Sequence, residues 1–222
     1  MISKNICGVF LLVLLLLFSG CGGEIAADLY IQDIYEAAET VENELWTTAT
    51  IALETYSDEH REEFSELISS IFSKAGHFRI QSRGFSDYFV ADVRIPLLAY
   101  ENREELRIKD GLLGAVALGP DEDGDYFFGL ALNSAKFEDI SQQISSEYWT
   151  DLSFEKFSLQ LNVINDTRES VDLTVQGVYA NQKPVLYDGV FKLERRDSLE
   201  IKLSDLMRDW VYENGTVLFG YL

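Results

Sequence analysis

The run Asp121-Glu122-Asp123-Gly124-Asp125 has the residue types and spacing that come nearest to a chemical motif. Acidic side chains at alternate positions beside a glycine can wrap a hard cation in oxygens. Asp121, Asp123 and Asp125 are therefore candidate calcium ligands. The match to a full calcium loop is partial. Such a loop has its glycine one position later and a bidentate acid further on, where Tyr126-Phe127-Phe128-Gly129 stands instead. The competing expectation is a polar hairpin tip turned by Pro120 and Gly124.

His60 and His77 are the only histidines. His60 and Glu63 stand three apart on an expected helix, a spacing that can bring two ligands to one metal. No second histidine follows on that helix, so a solvated face is the plainer expectation. His77, beside Gly76, is expected in a loop or at a strand edge. The sequence contains no Gly-x-Ser-x-Gly elbow and no glycine-rich phosphate loop. A hydrolytic site would have to be assembled across the fold.

Cys21 closes the run Leu17-Phe18-Ser19-Gly20-Cys21, directly behind an apolar stretch from Val9 to Phe18. Lys4 supplies the one charge ahead of it. The stretch is too short to span a bilayer of roughly 30 Å as a helix and reads as a secretory signal. The arrangement resembles the lipobox of bacterial lipoproteins, although Phe18 stands where that pattern usually has leucine. The resemblance implies export, cleavage between Gly20 and Cys21, and a palmitate-type lipid anchor on Cys21. Gly22, rather than an aspartate, follows Cys21; by the same resemblance this implies the outer membrane if the host is Gram-negative. The stretch Leu29-Tyr30-Ile31-Gln32-Asp33 is similar to one found early in small bacterial lipoproteins, and it brings no activity with it.

Loss of residues 1–20 removes Cys7 along with the signal. Lipidation of Cys21 then leaves the mature chain without a disulfide, so stability must come from an ordinary core. Removing 20 of the 222 residues leaves 202, enough for one large or two small domains. The formal net charge is −20. The stretch from Glu24 to Glu66 holds 13 acids against one base, Arg61. Such a surface argues against nucleic acid, whose binding needs Lys and Arg to neutralise phosphates. It also argues against lying flat on anionic lipid. A solvated face, a site for a basic partner protein and loose cation binding are the three readings of this acidity.

The periodicity gives the elements that must position these residues. Cys21 and residues 22–28 are expected to form a short tether of at most about seven residues, on the order of 25 Å. Ile31, Ile34, Tyr35, Ala38 and Val41 fall at helical spacing. Leu45, Thr47, Ala49, Ile51 and Leu53 alternate as in a strand. Ser57 is expected to cap a helix carrying Phe64, Leu67, Ile68 and Ile71. Strands are expected at Phe78–Ser82 and Phe85–Ile95, with Pro96 ending or edging the latter. Ser134 is expected to cap a helix bearing Phe137, Ile140, Ile144 and Tyr148. Short alternating runs then dominate, with turns at Asn165-Asp166 and Asn181 to Pro184, a short helix capped by Ser204, and a last strand ending in Tyr221.

These elements predict an α+β fold of antiparallel strands with a few amphipathic helices, acidic over residues 29–149 and β-rich and sandwich-like over 150–222. The functional expectation is a lipid-anchored, non-enzymatic binding or accessory module of the cell envelope that engages another envelope protein. An exported hydrolase and a calcium-responsive module are the alternatives.

Overall fold

The computed structural model describes residues 21–39, 45–55, 61–72, 74–100, 108, 111–148 and 152–222. Ser57, His60, Gly20 and the rest of the stretch expected as a signal lie outside these. The described chain runs β1 (Cys21–Tyr30), α1 (Ile31–Glu39), β2 (Leu45–Thr55), α2 (Arg61–Ile71), β3 (Gly76–Arg83), β4 (Ser86–Tyr100), β5 (Leu113–Leu118) and β6 (Phe127–Leu132). It continues through α3 (Ser134–Tyr148), β7 (Leu152–Ile164), β8 (Val171–Val175), β9 (Val178–Ala180), β10 (Lys183–Val185), β11 (Gly189–Leu193), β12 (Ser198–Leu203), α4 (Asp205–Asn214) and β13 (Thr216–Tyr221).

The α+β expectation is corrected. The fold is mostly β, 55% strand against 24% helix, built around a nearly closed, barrel-like sheet of twelve strands. Its order is β10-β9-β12-β7-β1-β2-β4-β5-β6-β13-β8-β11, with β3 paired to the outer part of β4. The sandwich expected for residues 150–222 is not formed. Those strands continue the sheet begun by residues 21–132, through the β1–β7 and β6–β13 pairings. Alternation reports a buried face, and it reads the same whether that face meets a second sheet or the far wall of its own barrel.

Residues 21–28, expected as a tether, are instead the first part of β1. That strand pairs antiparallel with β2 and parallel with β7, in register from Gly23 opposite Phe157 to Tyr30 opposite Ile164. A Cβ on Gly23 would lie 2.3 Å from the Phe157 ring, so only glycine lets β1 lie this close to β7 with that ring packed across it.

Closure comes from a bent hairpin. β8 and β9 form one arm and β10 and β11 the other, meeting at a tip where Asn181 and Gln182 both take positive φ, 46° and 65°. Two successive positive-φ residues give the tight turn whose twist suits a hairpin. The arm beside the core holds β13 through β8 and β12 through β9, and so joins the two sides of the barrel.

Inward side chains such as Leu29, Phe89, Ile95, Leu130, Leu161, Leu173 and Ile201 are buried. Outward positions on β12 are polar, as the alternation of Ser198, Glu200 and Lys202 with Leu199, Ile201 and Leu203 shows. On β5 and β6 the outward Val116 and Ala131 are buried instead, in a second apolar cluster with Ile108, Leu98 and Leu218. No described helix is long and apolar enough to cross a membrane. The helices plug the ends of the barrel. α1 joins the end of β1 to the start of β2 and buries Ile31, Ile34 and Ala37. α2, α3 and α4 cover the opposite end, where β1 begins. A void of about 40 Å³, lined only by apolar side chains including Leu67, Ile68, Phe137 and Phe157, remains beneath them.

Two local expectations change. Pro96 does not end β4, which continues to Tyr100, but it does lie where one side of the strand is a local edge. β3 reaches only as far as Asp92 and β5 begins pairing at Leu97, so between them β4 has β2 alone as neighbour. A residue without an N–H breaks no ladder on the other side. Asn133 rather than Ser134 caps α3, since its Oδ1 accepts the Lys136 N–H at 3.0 Å, while the Ser134 hydroxyl donates to the Tyr212 carbonyl. Ser204 caps α4 as expected, accepting from the Met207 N–H.

One buried polar residue ties two chain segments together. Asn165, wholly buried, donates from Nδ2 to the Glu169 and Leu193 carbonyls at 2.8 and 2.9 Å. Its Oδ1 accepts from the Thr167 N–H and hydroxyl at 3.0 and 2.6 Å. Its backbone pairs with Asp197 and Arg196. Removing the amide leaves the buried Leu193 carbonyl without this donor, at about 1–3 kcal/mol, and also strips the turn of its bonds to Thr167. Asn165→Ala is expected to destabilise the fold by on the order of 3 kcal/mol, read as the shift in urea unfolding midpoint at unchanged slope. A loss under about 0.5 kcal/mol would show that water replaces the amide.

Candidate functional site

The outward face of β7, β1, β2 and β4 carries polar residues in rows across the strands. One row is Gln160, Ala26, Thr50 and Asp92, and the next is Asn162, Asp28, Thr48 and Arg94, by the strand registers. The small side chain of Ala26 leaves a depression between its neighbours. Lys74, Gly76 and His77 form its far rim, and the groove measures about 650 Å³.

A β-bulge shapes that rim. Gly76 faces Asp92 and Arg79 faces Val90, so His77 and Phe78 together oppose one residue of β4. His77 sits at φ 52°, in the left-handed region that non-glycine residues seldom occupy. Bulges re-aim side chains. Phe78 turns in and stacks on Phe89 with ring centroids 5.8 Å apart. His77 turns out, and its Nδ1 lies 3.0 Å from Asp92 Oδ2. Arg79 donates to the other oxygen, Asp92 Oδ1, at 2.9 Å and to the His77 carbonyl at 3.0 Å.

Partial burial pushes the Asp92 carboxyl up, but hydrogen bonds from Arg79 and His77 and their charges outweigh it and hold it below the usual carboxylate range. Across the groove, Asp28 accepts from Asn162 Nδ2 at 3.1 Å and from the Thr48 hydroxyl at 3.4 Å, and its carbonyl accepts from Thr47. The groove therefore offers fixed carboxylates beside the cations of Lys74 and Arg94. With Nδ1 directed at Asp92, the other imidazole nitrogen of His77 is left to exchange protons or accept a hydrogen bond. The His77 side chain is 85% exposed and Asp92 42%, so water reaches both.

A second depression of about 520 Å³ lies at the end of the barrel where β1 begins. Phe137, Phe154 and Tyr212 build its wall. Tyr212 stacks on Phe154 at 4.8 Å and donates to Glu138 at 2.9 Å.

The structure places the residues singled out by sequence as follows. Cys21 is the first residue of β1, opposite Leu152. Gly20 and His60 lie outside the described residues. Asp121, Asp123 and Asp125 form the tip between β5 and β6. Asp121 Oδ1 accepts the N–H groups of Asp123 and Asp125 at 3.0 and 3.1 Å, and the Asp121 carbonyl accepts from Gly124 at φ 92°. The Asp121 carboxylate is thus turned onto its own backbone as the acceptor that makes the turn. Among the described residues, no three His, Cys, Asp or Glu side chains converge as metal ligands. Asp28, Arg79, Asp92 and Arg94 were missed, because each reads alone as an outward strand position. The signal that links them is shared outward parity on adjacent strands, which needs the pairing to be known.

The family model described as "Domain of unknown function (DUF7424)" matches residues 23–222, and the chain belongs to that family. No curated protein and no solved structure matches the chain.

Because the Asp92 carboxyl is lowered in the fold, its contribution to stability is present above pH about 4 and fades as the pH falls through its lowered value. Asp92→Asn is expected to cost less than about 1 kcal/mol at pH 7, because the pair is water-exposed. The gap to wild type should close as the pH falls below that lowered value, as measured by chemical unfolding across pH. For the β5–β6 tip, Asp121→Ala is expected to lower the melting temperature equally with and without calcium. A calcium-dependent rise in wild type that Asp121→Ala abolishes would restore the cation reading.

Proposed function

We propose that this protein is a lipid-anchored, non-enzymatic binding module of the cell envelope, held to a membrane through Cys21. On this reading it presents the groove around Asp28, His77, Asp92 and Arg94 to a polar, mixed-charge segment of another envelope protein. The observation that carries the reading is the groove itself, open to solvent and lined by the hydrogen-bonded carboxylates of Asp28 and Asp92 beside the cations of Lys74 and Arg94. Charges of both signs in one groove suit a partner that must be matched in register, and complementarity of this kind sets specificity and encounter rate. The lipobox-like run supports the location, and the outward polar face of the sheet suits a body that stands in water beside its membrane.

The His77–Asp92 pair favours a second reading, an exported hydrolase in which the imidazole activates water. Its reach into open solvent gives it less support than recognition. The two readings separate on His77→Gln, which keeps hydrogen-bonding capacity and removes the base. Partner capture should survive that change on the binding reading, and hydrolysis should not.

Two measurements test the proposal. Cys21→Ser is expected to move the protein from the membrane to the soluble fraction, and retention in the membrane would refute the anchor. A photo-crosslinking residue at Thr50, on the groove floor, is expected to capture one recurrent envelope protein in cells. That capture should fall at least tenfold, about 1.4 kcal/mol, when Asp92→Lys and Arg94→Glu invert the groove charges. Capture unchanged by the inversion would remove the groove from the interaction.

A further inference from the structure

The end of the barrel at which β1 begins carries large apolar side chains that the fold leaves in water. In the row Gly23, Leu53, Phe89, the strands β1, β2 and β4 lie side by side. Cys21 is two residues beyond Gly23 toward this end. Phe85, in the β3–β4 turn, is four residues beyond Phe89 in the same direction. Phe85 is thus about 10 Å across the sheet from β1 and projects roughly 7 Å past the level of Cys21. Its side chain is fully exposed.

On the other side, α4 crosses this end between the ends of β12 and β13. It is fixed there by the stacking of Tyr212 on Phe154, two residues from Leu152, the partner of Cys21. Leu206 and Trp210 stand at i and i+4 on the outer face of α4, 76% and 54% exposed. The bend of the closing hairpin joins them, since the Gly177 carbonyl accepts the Ser204 hydroxyl at 2.6 Å and Leu186 and Tyr187 follow Val185, the partner of Val178. Leu186 and Tyr187 are exposed as well. Scattered single apolar residues on a surface need no explanation, whereas several gathered at one end do.

The geometry points to a lipid bilayer as the occupant of this rim. We infer that Phe85, Leu206, Trp210 and the Leu186–Tyr187 pair insert into the interfacial layer of the membrane that holds Cys21. The inference rests on the anchor reading above and deepens it. Cys21 begins β1 directly, with no tether, so a lipid on it brings this end of the barrel to the headgroups. Aromatic side chains favour that layer. α4 carries the acids Asp205, Asp209 and Glu213 against Arg208, which pairs with the first two, so a zwitterionic surface is a better fit than an anionic one.

The test uses the membrane-extracted, full-length product in phosphatidylcholine vesicles containing lipids brominated near the headgroup end of the acyl chain. Trp46→Phe and Trp149→Phe leave Trp210 as the sole tryptophan. The difference between wild type and Trp210→Phe repeats the reading without those two replacements. Flotation with the vesicles reports the anchor, and quenching of Trp210 emission reports the rim. The expected result is flotation with strong quenching, most of which is lost in Phe85→Ser/Leu206→Ser although that variant still floats. A protein that floats unquenched overturns the rim alone, as does quenching that the double substitution leaves intact. A protein that does not float overturns the anchor and the rim together.

Discussion

The parallel pairing of β1 with β7 is the constraint on which the rest of the molecule depends. It joins residues 130 and more apart in sequence, and it places the first described strand in the middle of the sheet rather than at its edge. Without it, β12 and β9 would have no wall to extend, and the hairpin from Val171 to Leu193 would have only β13 to hold. Gly23 sets the spacing of that contact by leaving room for the Phe157 ring. Asn165, just beyond the far end of β7, then fixes the neighbouring turns with bonds that leave none of its amide atoms unpaired.

This arrangement separates the surfaces on which recognition could act. The interior is filled with aliphatic and aromatic side chains, so binding falls to the outside. One outer wall carries the groove, where a bulge and an unusual backbone conformation turn His77 onto Asp92. One end carries the start of β1 and the exposed aromatic rim. On the proposed reading, the first faces the aqueous compartment and the second faces the lipid, and α4 and the hairpin bend belong to the membrane side. The acidic surface then keeps the barrel wall off the membrane while the rim holds its end there.

Much of the local structure was legible in the sequence, and the architecture was not. The helical spacing of Ile31 and Ile34, the alternation from Leu45 to Leu53 and the cap at Ser204 each depend on neighbours a few residues away. Barrel closure does not. It depends on which strand lies beside which, and β1 reads as a tether because Cys21-Gly22-Gly23-Glu24 has little strand character of its own. Its strand state is imposed by β2 on one side and β7 on the other. The candidate groove was hidden for the same reason, since Asp28, Asp92 and Arg94 become neighbours only through the register. The Asp121–Asp125 run was visible, and its backbone bonds make it a turn.

A central strand that lies first in the sequence shapes how the molecule must be made. A chain delivered from its N-terminal end presents β1 and β2 early and β7 only after about a hundred further residues. Until then, β1 carries an open row of amide and carbonyl groups beside inward-facing Ile25, Ala27 and Leu29, an edge that invites pairing with other chains. Contacts of such sequence separation form slowly. Assembly of the barrel therefore waits on residues beyond 152 and passes through a sticky intermediate, and the protein's solubility depends on how that interval is managed as much as on the finished fold.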